Sequence, residues 1–116
     1  MPTYKSSPFV GQLQSYLFTS TALDATGVID AIGTKGTLYA VNAYNKDGAA
    51  RYVSFWDATE TSGLGAEMVI RLDVSSNATI YIDTGLRFDT AVTFNGSTNA
   101  WGSGDPTELD VNLCIS

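Results

Sequence analysis

Residues 36–57, GTLYAVNAYNKDGAARYVSFWD, constrain the fold more than any other stretch of the chain. Residues 37–45 and 50–57 are rich in aromatic and β-branched side chains, which suit a pleated, half-buried surface. Between them stands Asn45-Lys46-Asp47-Gly48. Asp-Gly tolerates the positive φ that tight hairpin turns need, so the pattern predicts two strands joined as a hairpin. Two strands alone are marginal in water, so the remaining chain must supply a facing layer. On the first strand Tyr39, Val41 and Ala43 are predicted to share one face, with Leu38, Ala40, Asn42 and Tyr44 on the other. On the second, Val53 and Phe55 are expected inward, because Arg51 and Asp57 then end the same row at its exposed tips.

The same alternation recurs along the chain. Residues 15–22 and 28–32 read as strands before the central stretch, separated by an Asp24–Gly27 turn. After a polar loop at 58–66, residues 67–74 alternate with Met68, Ile70 and Leu72 inward. Residues 79–83 follow with Ile80 and Ile82 inward and Tyr81 outward, and Thr84-Gly85 is expected to break the strand before a short piece at 86–88. Residues 90–94 form another run, and 95–108 read as the longest loop, dominated by Gly, Ser, Asn and Pro. The last strand is 109–115, with Leu109, Val111, Leu113 and Ile115 inward. About eight short strands punctuated by turns predict an all-β fold, an antiparallel two-sheet β-sandwich of jelly-roll type. Residues 1–14, with Pro2, Pro8 and Gly11, read as an N-terminal arm; 15–116 form a single domain.

A chain of 116 residues with 44% apolar residues can build one core and is not expected to be disordered. No apolar run reaches the ~20 residues that span a bilayer, and the N-terminus lacks the charged and apolar regions of a secretory signal. The expected chain therefore has no membrane partner and stays in the cytoplasm of its maker or is packaged there. Its net charge of −6 comes from scattered acids, which favours solubility and argues against nucleic-acid phosphates as partners. Cys114 is the sole cysteine, so no intrachain disulfide can form, and VNLCIS places it as a small buried hydrophobe. There is no histidine to activate it as a nucleophile.

Site motifs are sparse. Asn77-Ala78-Thr79 and Asn95-Gly96-Ser97 match the glycosylation pattern but read as ordinary turns. Asp105, Glu108 and Asp110 lie near a glycine-rich loop without calcium-loop spacing, so no metal is expected. Pairs such as Asp57 with Glu60, or Asp83 with Asp89, read as chance spacings among twelve acids. No enzyme activity and no cofactor are expected. Interface candidates are Tyr4, Phe9 and Val10 on the arm, Leu64 in the 58–66 loop, and Trp101 in the 95–108 loop. Trp101 reads equally as an exposed anchor for a protein contact or a sugar and as a side chain folded back to cap the barrel end.

Residues 50–57, ARYVSFWD, and 84–94, TGLRFDTAVTF, resemble small bacteriophage virion structural proteins, the head decoration or cement class. The resemblance spans about residues 36–96 and leaves out the arm and the Trp101 loop. It implies a virion protein, made in the host bacterial cytoplasm, that sits on the capsid surface as a homo-oligomer, typically a trimer, with the major capsid protein as partner. It also leaves open a place in the neck, tail or fibre, where a glycan-binding module would use Trp101 and tyrosines.

Overall fold

A computed structural model describes residues 14–18 (backbone only), 35–60, 65–99, 104, 106 and 109–115. Seven strands lie among them: β1 Gln14–Phe18, β2 Gly36–Asn45, β3 Arg51–Asp57, β4 Met68–Leu72, β5 Asn77–Phe88, β6 Val92–Ser97 and β7 Leu109–Ile115. They form two antiparallel sheets. One runs β1-β7-β2-β5 and the other β4-β3-β6. Residues 1–13 of the predicted arm and the strand expected at 28–32 lie outside the described residues, and Gln14, counted with the arm, opens β1.

Both sheets feed one core. Val41 and Ala43 of β2 and Leu109, Val111, Leu113 and Ile115 of β7 meet Val53 and Phe55 of β3, Ile70 and Leu72 of β4, and Val92 and Phe94 of β6. Phe55 and Phe94 are paired across β3 and β6, and their rings stack with centroids 5.5 Å apart. The inward rows expected for β4 and β7 are the buried rows, and Ile80 and Ile82 of β5 pack against the same cluster. On β3 Val53 and Phe55 are buried as expected, but Ser54 and Trp56 of the opposite row are buried too, and Arg51 and Asp57 are half-buried rather than exposed. Polar residues at alternate positions fix these phases, because a one-residue slip would bury Arg71 or Asn112.

The predicted central hairpin does not form. β2 pairs with β5 and β7, whereas β3 pairs with β4 and β6. Residues 46–50 instead carry the chain from one sheet to the other. Packed sheets stand ~10 Å apart, and five residues reach up to ~17 Å, so the span is easily made. Among the described residues positive φ falls on Gly65, Ser75, Gly85 and Gly104, so Asp47-Gly48 lacks the geometry of a two-residue hairpin turn. Face-to-face packing wins because it puts Val41 and Ala43 over the same core as Val53 and Phe55.

Three further differences concern strand phase. Pairing with β7 matches Leu38 to Ile115 and Ala40 to Cys114, which leaves Tyr39 as an extra residue. This bulge puts Leu38 on the same buried side as Val41, so the two faces predicted for β2 hold only beyond Ala40. β5 does not stop at Gly85. Leu86 pairs with Leu38 and Tyr81 with Ala40, so Ile82 to Gly85 stand opposite Tyr39 alone. Gly85 absorbs this with φ +80, and a Cβ there would overlap Thr37 Cγ2 and lie 3.0 Å from Tyr39 Cε1. Finally, β6 continues through Asn95, Gly96 and Ser97, all buried, where the sequence reads as a loop. Cys114 is half-buried rather than buried, on the face opposite the core row.

Candidate interaction surface

The predicted contact residues Tyr4, Phe9, Val10, Leu64 and Trp101 all lie outside the described residues. The described surface offers two other features, both on the four-stranded sheet.

The first is the outer face of that sheet. Beyond the Tyr39 bulge, alternation turns Ala40, Asn42 and Tyr44 away from the core. Register places Tyr81 and Cys114 beside Ala40, Thr79 and Asn112 beside Asn42, and Asn77 and Asp110 beside Tyr44. Asn42 Nδ2 donates to Thr79 Oγ1 at 2.6 Å and to Asn77 Oδ1 at 3.2 Å, which holds the amide flat along the sheet. Tyr81 is 77% exposed and Tyr44 42%. Lys46 Nζ lies 2.9 Å from Asp110 Oδ2 and neutralises one corner. The result is a neutral platform of amides, hydroxyls and two phenol rings. Tyr81 is legible in the sequence as an outward residue of its strand, but only the topology reveals its neighbours.

The second feature is a recess of about 200 Å³ where β2 begins, lined by Lys35, Gly36, Thr37, Arg87 and Phe88. Gly36 pairs with Phe88 and Thr37 with Arg87. Phe88 belongs to the core and is fully buried, while Lys35 and Arg87 are exposed. Arg87 Nε donates to Asp89 Oδ1 at 2.9 Å. Nothing in the local sequence joins Lys35 to Arg87; the strand pairing does.

Of the acids considered in the sequence, Asp57, Asp89 and Asp110 take structural posts, while Asp105 and Glu108 lie outside the described residues. The Asp57 carboxylate accepts backbone N–H groups from Asp89 at 3.0 Å, Thr90 at 2.7 Å and Ala91 at 3.3 Å. These bonds, that from Asp89 foremost, hold Asp57 below the usual carboxylate range against a smaller opposing effect of burial. It is a fixed anion clasping the β5–β6 connection. Asp89 is bonded to Arg87 and Asp110 to Lys46. No group of three or more His, Cys, Asp or Glu that could hold a metal ion occurs among the described residues. Asn77 opens β5 and Asn95 is buried within β6, so neither glycosylation-pattern asparagine sits in the turn expected of it.

Comparison with known proteins is sparse. No protein-family model matches the chain, and no curated protein does. A solved structure described as "Bacillus endospore appendages form a novel family of disulfide-linked pili" is similar over 89% of this chain and 81% of its own, at 18% identity and a TM-score of 0.46.

Proposed function

We propose that this chain is a structural subunit of a bacteriophage particle, a decoration or cement protein that binds the major capsid protein on the outer shell as a homo-oligomer, a trimer in its simplest form. The observation that carries this reading is the strand order. In a jelly roll, an architecture used by viral capsid and lectin domains, one sheet takes the first, eighth, third and sixth strands. The other takes the fifth, fourth, seventh and second. If the 28–32 run is the second of eight strands, the order β1-β7-β2-β5 fills the first sheet and β4-β3-β6 fills three places of the other. The remaining position of that order falls beside β6. That strand ends its sheet as described, yet all six of its residues are buried, which fits a further neighbour.

A rigid two-sheet body of this kind adds stability to a shell by burying surface at many identical sites, each weak and all acting together. Copy number in purified virions tests the reading. A count that scales with shell subunits supports decoration. A count that scales with the tail or neck moves the protein there, and absence from the virion ends the proposal.

The neutral face bearing Tyr81 and Tyr44 favours a second reading, a glycan-binding module of a tail or fibre. Exposed phenol rings stack on sugar faces while neighbouring amides bond hydroxyls. A glycan array that loses signal in Tyr81→Ser supports it; a blank array for the unaltered protein counts against it.

A further inference from the structure

We infer that the recess between Lys35 and Arg87 receives an acidic side chain from a second copy of this chain. This rests on the homo-oligomer reading above and adds the contact that would hold it. The charge pattern points there first. Among the described residues Lys46 pairs with Asp110, Arg51 with Asp47, Arg71 with Asp73 and Arg87 with Asp89. Lys35 is the one described cation with no carboxylate within 4 Å, and it stands exposed at the rim of the recess. Arg87 spends Nε on Asp89, and the rest of its five-donor fork stays open to another acceptor.

Size then narrows the occupant. Pockets for drug-sized molecules measure roughly 300–1,000 Å³, and this recess measures about 200 Å³. It suits the end of one side chain, with Phe88 behind it and Lys35 and Arg87 at its mouth. The chain itself supplies candidates. Among the described residues Glu60, Glu67 and Asp83 are exposed and form no ion pair. Copies carrying −6 each repel one another, and a contact that brings an unneutralised cation to a surplus acid offsets that repulsion. Recess and acids occupy different places on the chain, so a two-fold dimer would make the contact twice and a ring would make it head-to-tail; the contact serves either symmetry.

Sedimentation of the full chain across a concentration series tests this. The unaltered protein is expected to associate. Lys35→Glu, which disturbs no intrachain ion pair, is expected to weaken association about tenfold or more, with an unchanged thermal melt of the monomer. Arg87→Glu should do the same. Joining Lys35→Glu to Glu60→Lys, Glu67→Lys or Asp83→Lys in one chain, which reverses both sides of every contact, should restore assembly with one of the three. Association of Lys35→Glu at the original strength overturns the recess contact and leaves the oligomer reading standing. Rescue by none of the three overturns the contact with these acids. A chain that stays monomeric at every concentration overturns both.

Discussion

Asn45 is the residue whose removal should cost most for its size. Its side chain is fully buried where β2 ends and the chain crosses between sheets. Oδ1 accepts from the Asp47 N–H at 3.0 Å. Nδ2 donates to the carbonyls of Ala49 at 2.8 Å, Leu72 at 3.2 Å and Asp73 at 3.1 Å. One side chain thus ties the crossing to the far end of β4. Asn45→Ala deletes all four bonds and leaves the buried Asp47 N–H without that acceptor. Taking about 1 kcal/mol for each hydrogen bond, and somewhat more for an orphaned buried donor, the loss is about 3–4 kcal/mol. That is a large part of the 5–15 kcal/mol typical of a domain, and corresponds to a fall in melting temperature on the order of 12–16 °C. Urea unfolding followed by tryptophan fluorescence gives the number. Asn45→Asp separates the causes. It keeps the acceptor for Asp47 but replaces the donor with an oxygen facing three carbonyls, so it should be at least as damaging as alanine. If Asn45→Ala changes stability by less than about 0.5 kcal/mol, the crossing does not depend on this side chain and the reasoning fails.

Other substitutions probe separate parts of the fold. Gly85→Ala should destabilise by roughly 2 kcal/mol or more, since it combines φ +80 with a Cβ that overlaps Thr37; the urea midpoint reports it. Ser54→Ala should be neutral or stabilise by up to about 1 kcal/mol, because Ser54 Oγ is buried without a hydrogen-bond partner and its loss leaves nothing unpaired; the same unfolding curve checks it. Asp57 has a folded pKa below its unfolded value, so its contribution is complete above the ordinary carboxylate range and is lost as pH falls through the lowered value. Asp57→Asn should therefore flatten the acid limb of a stability profile below about pH 4, with little change of slope near neutrality.

Much of the fold is legible because its strands carry strong local contrast. β4 alternates Met68, Ile70 and Leu72 with Val69 and Arg71, and β7 alternates four aliphatics with Asp110, Asn112 and Cys114. Each has one phase that buries no charge. The central stretch misleads because its signal is local and its pairing is not. Asn45-Lys46-Asp47-Gly48 announces a change of direction correctly, but only the partners of β2 and β3 decide whether the turn returns along one sheet or leaves it. The bulge at Tyr39 and the strand running through Gly85 are equally hidden, since both arise from register against distant strands. The surface follows the same rule. Tyr81 could be placed outward from its own strand, whereas the Lys35–Arg87 recess exists only because β5 lies beside β2.

That dependence on distant partners explains where the polar residues are spent. Among successive described strands only β3 and β4 hydrogen-bond to each other; β2 to β3, β4 to β5, β5 to β6 and β6 to β7 each change sheet. Backbone groups in such crossings have no ladder to join, and they must find partners elsewhere when buried. At β2–β3 the partner is Asn45, and at β5–β6 it is Asp57. At β4–β5 Ser76 Oγ donates to the Asp73 carbonyl at 2.7 Å, while the Asn45 N–H donates to Ser76 O at 2.8 Å. After β6, Ser97 Oγ donates to the Asn99 carbonyl at 2.7 Å. The apolar rows supply the drive to collapse, but rows of similar residues can face one another in several registers. The side chains at the crossings bond in one geometry each, so they select among those registers. Most strand pairing here is non-local, which belongs to the slower folding class, on the order of milliseconds to seconds. Substitutions at Asn45 and Asp57 should therefore change how surely the two layers find each other, while those in the Phe55–Phe94 stack change how tightly they hold once found.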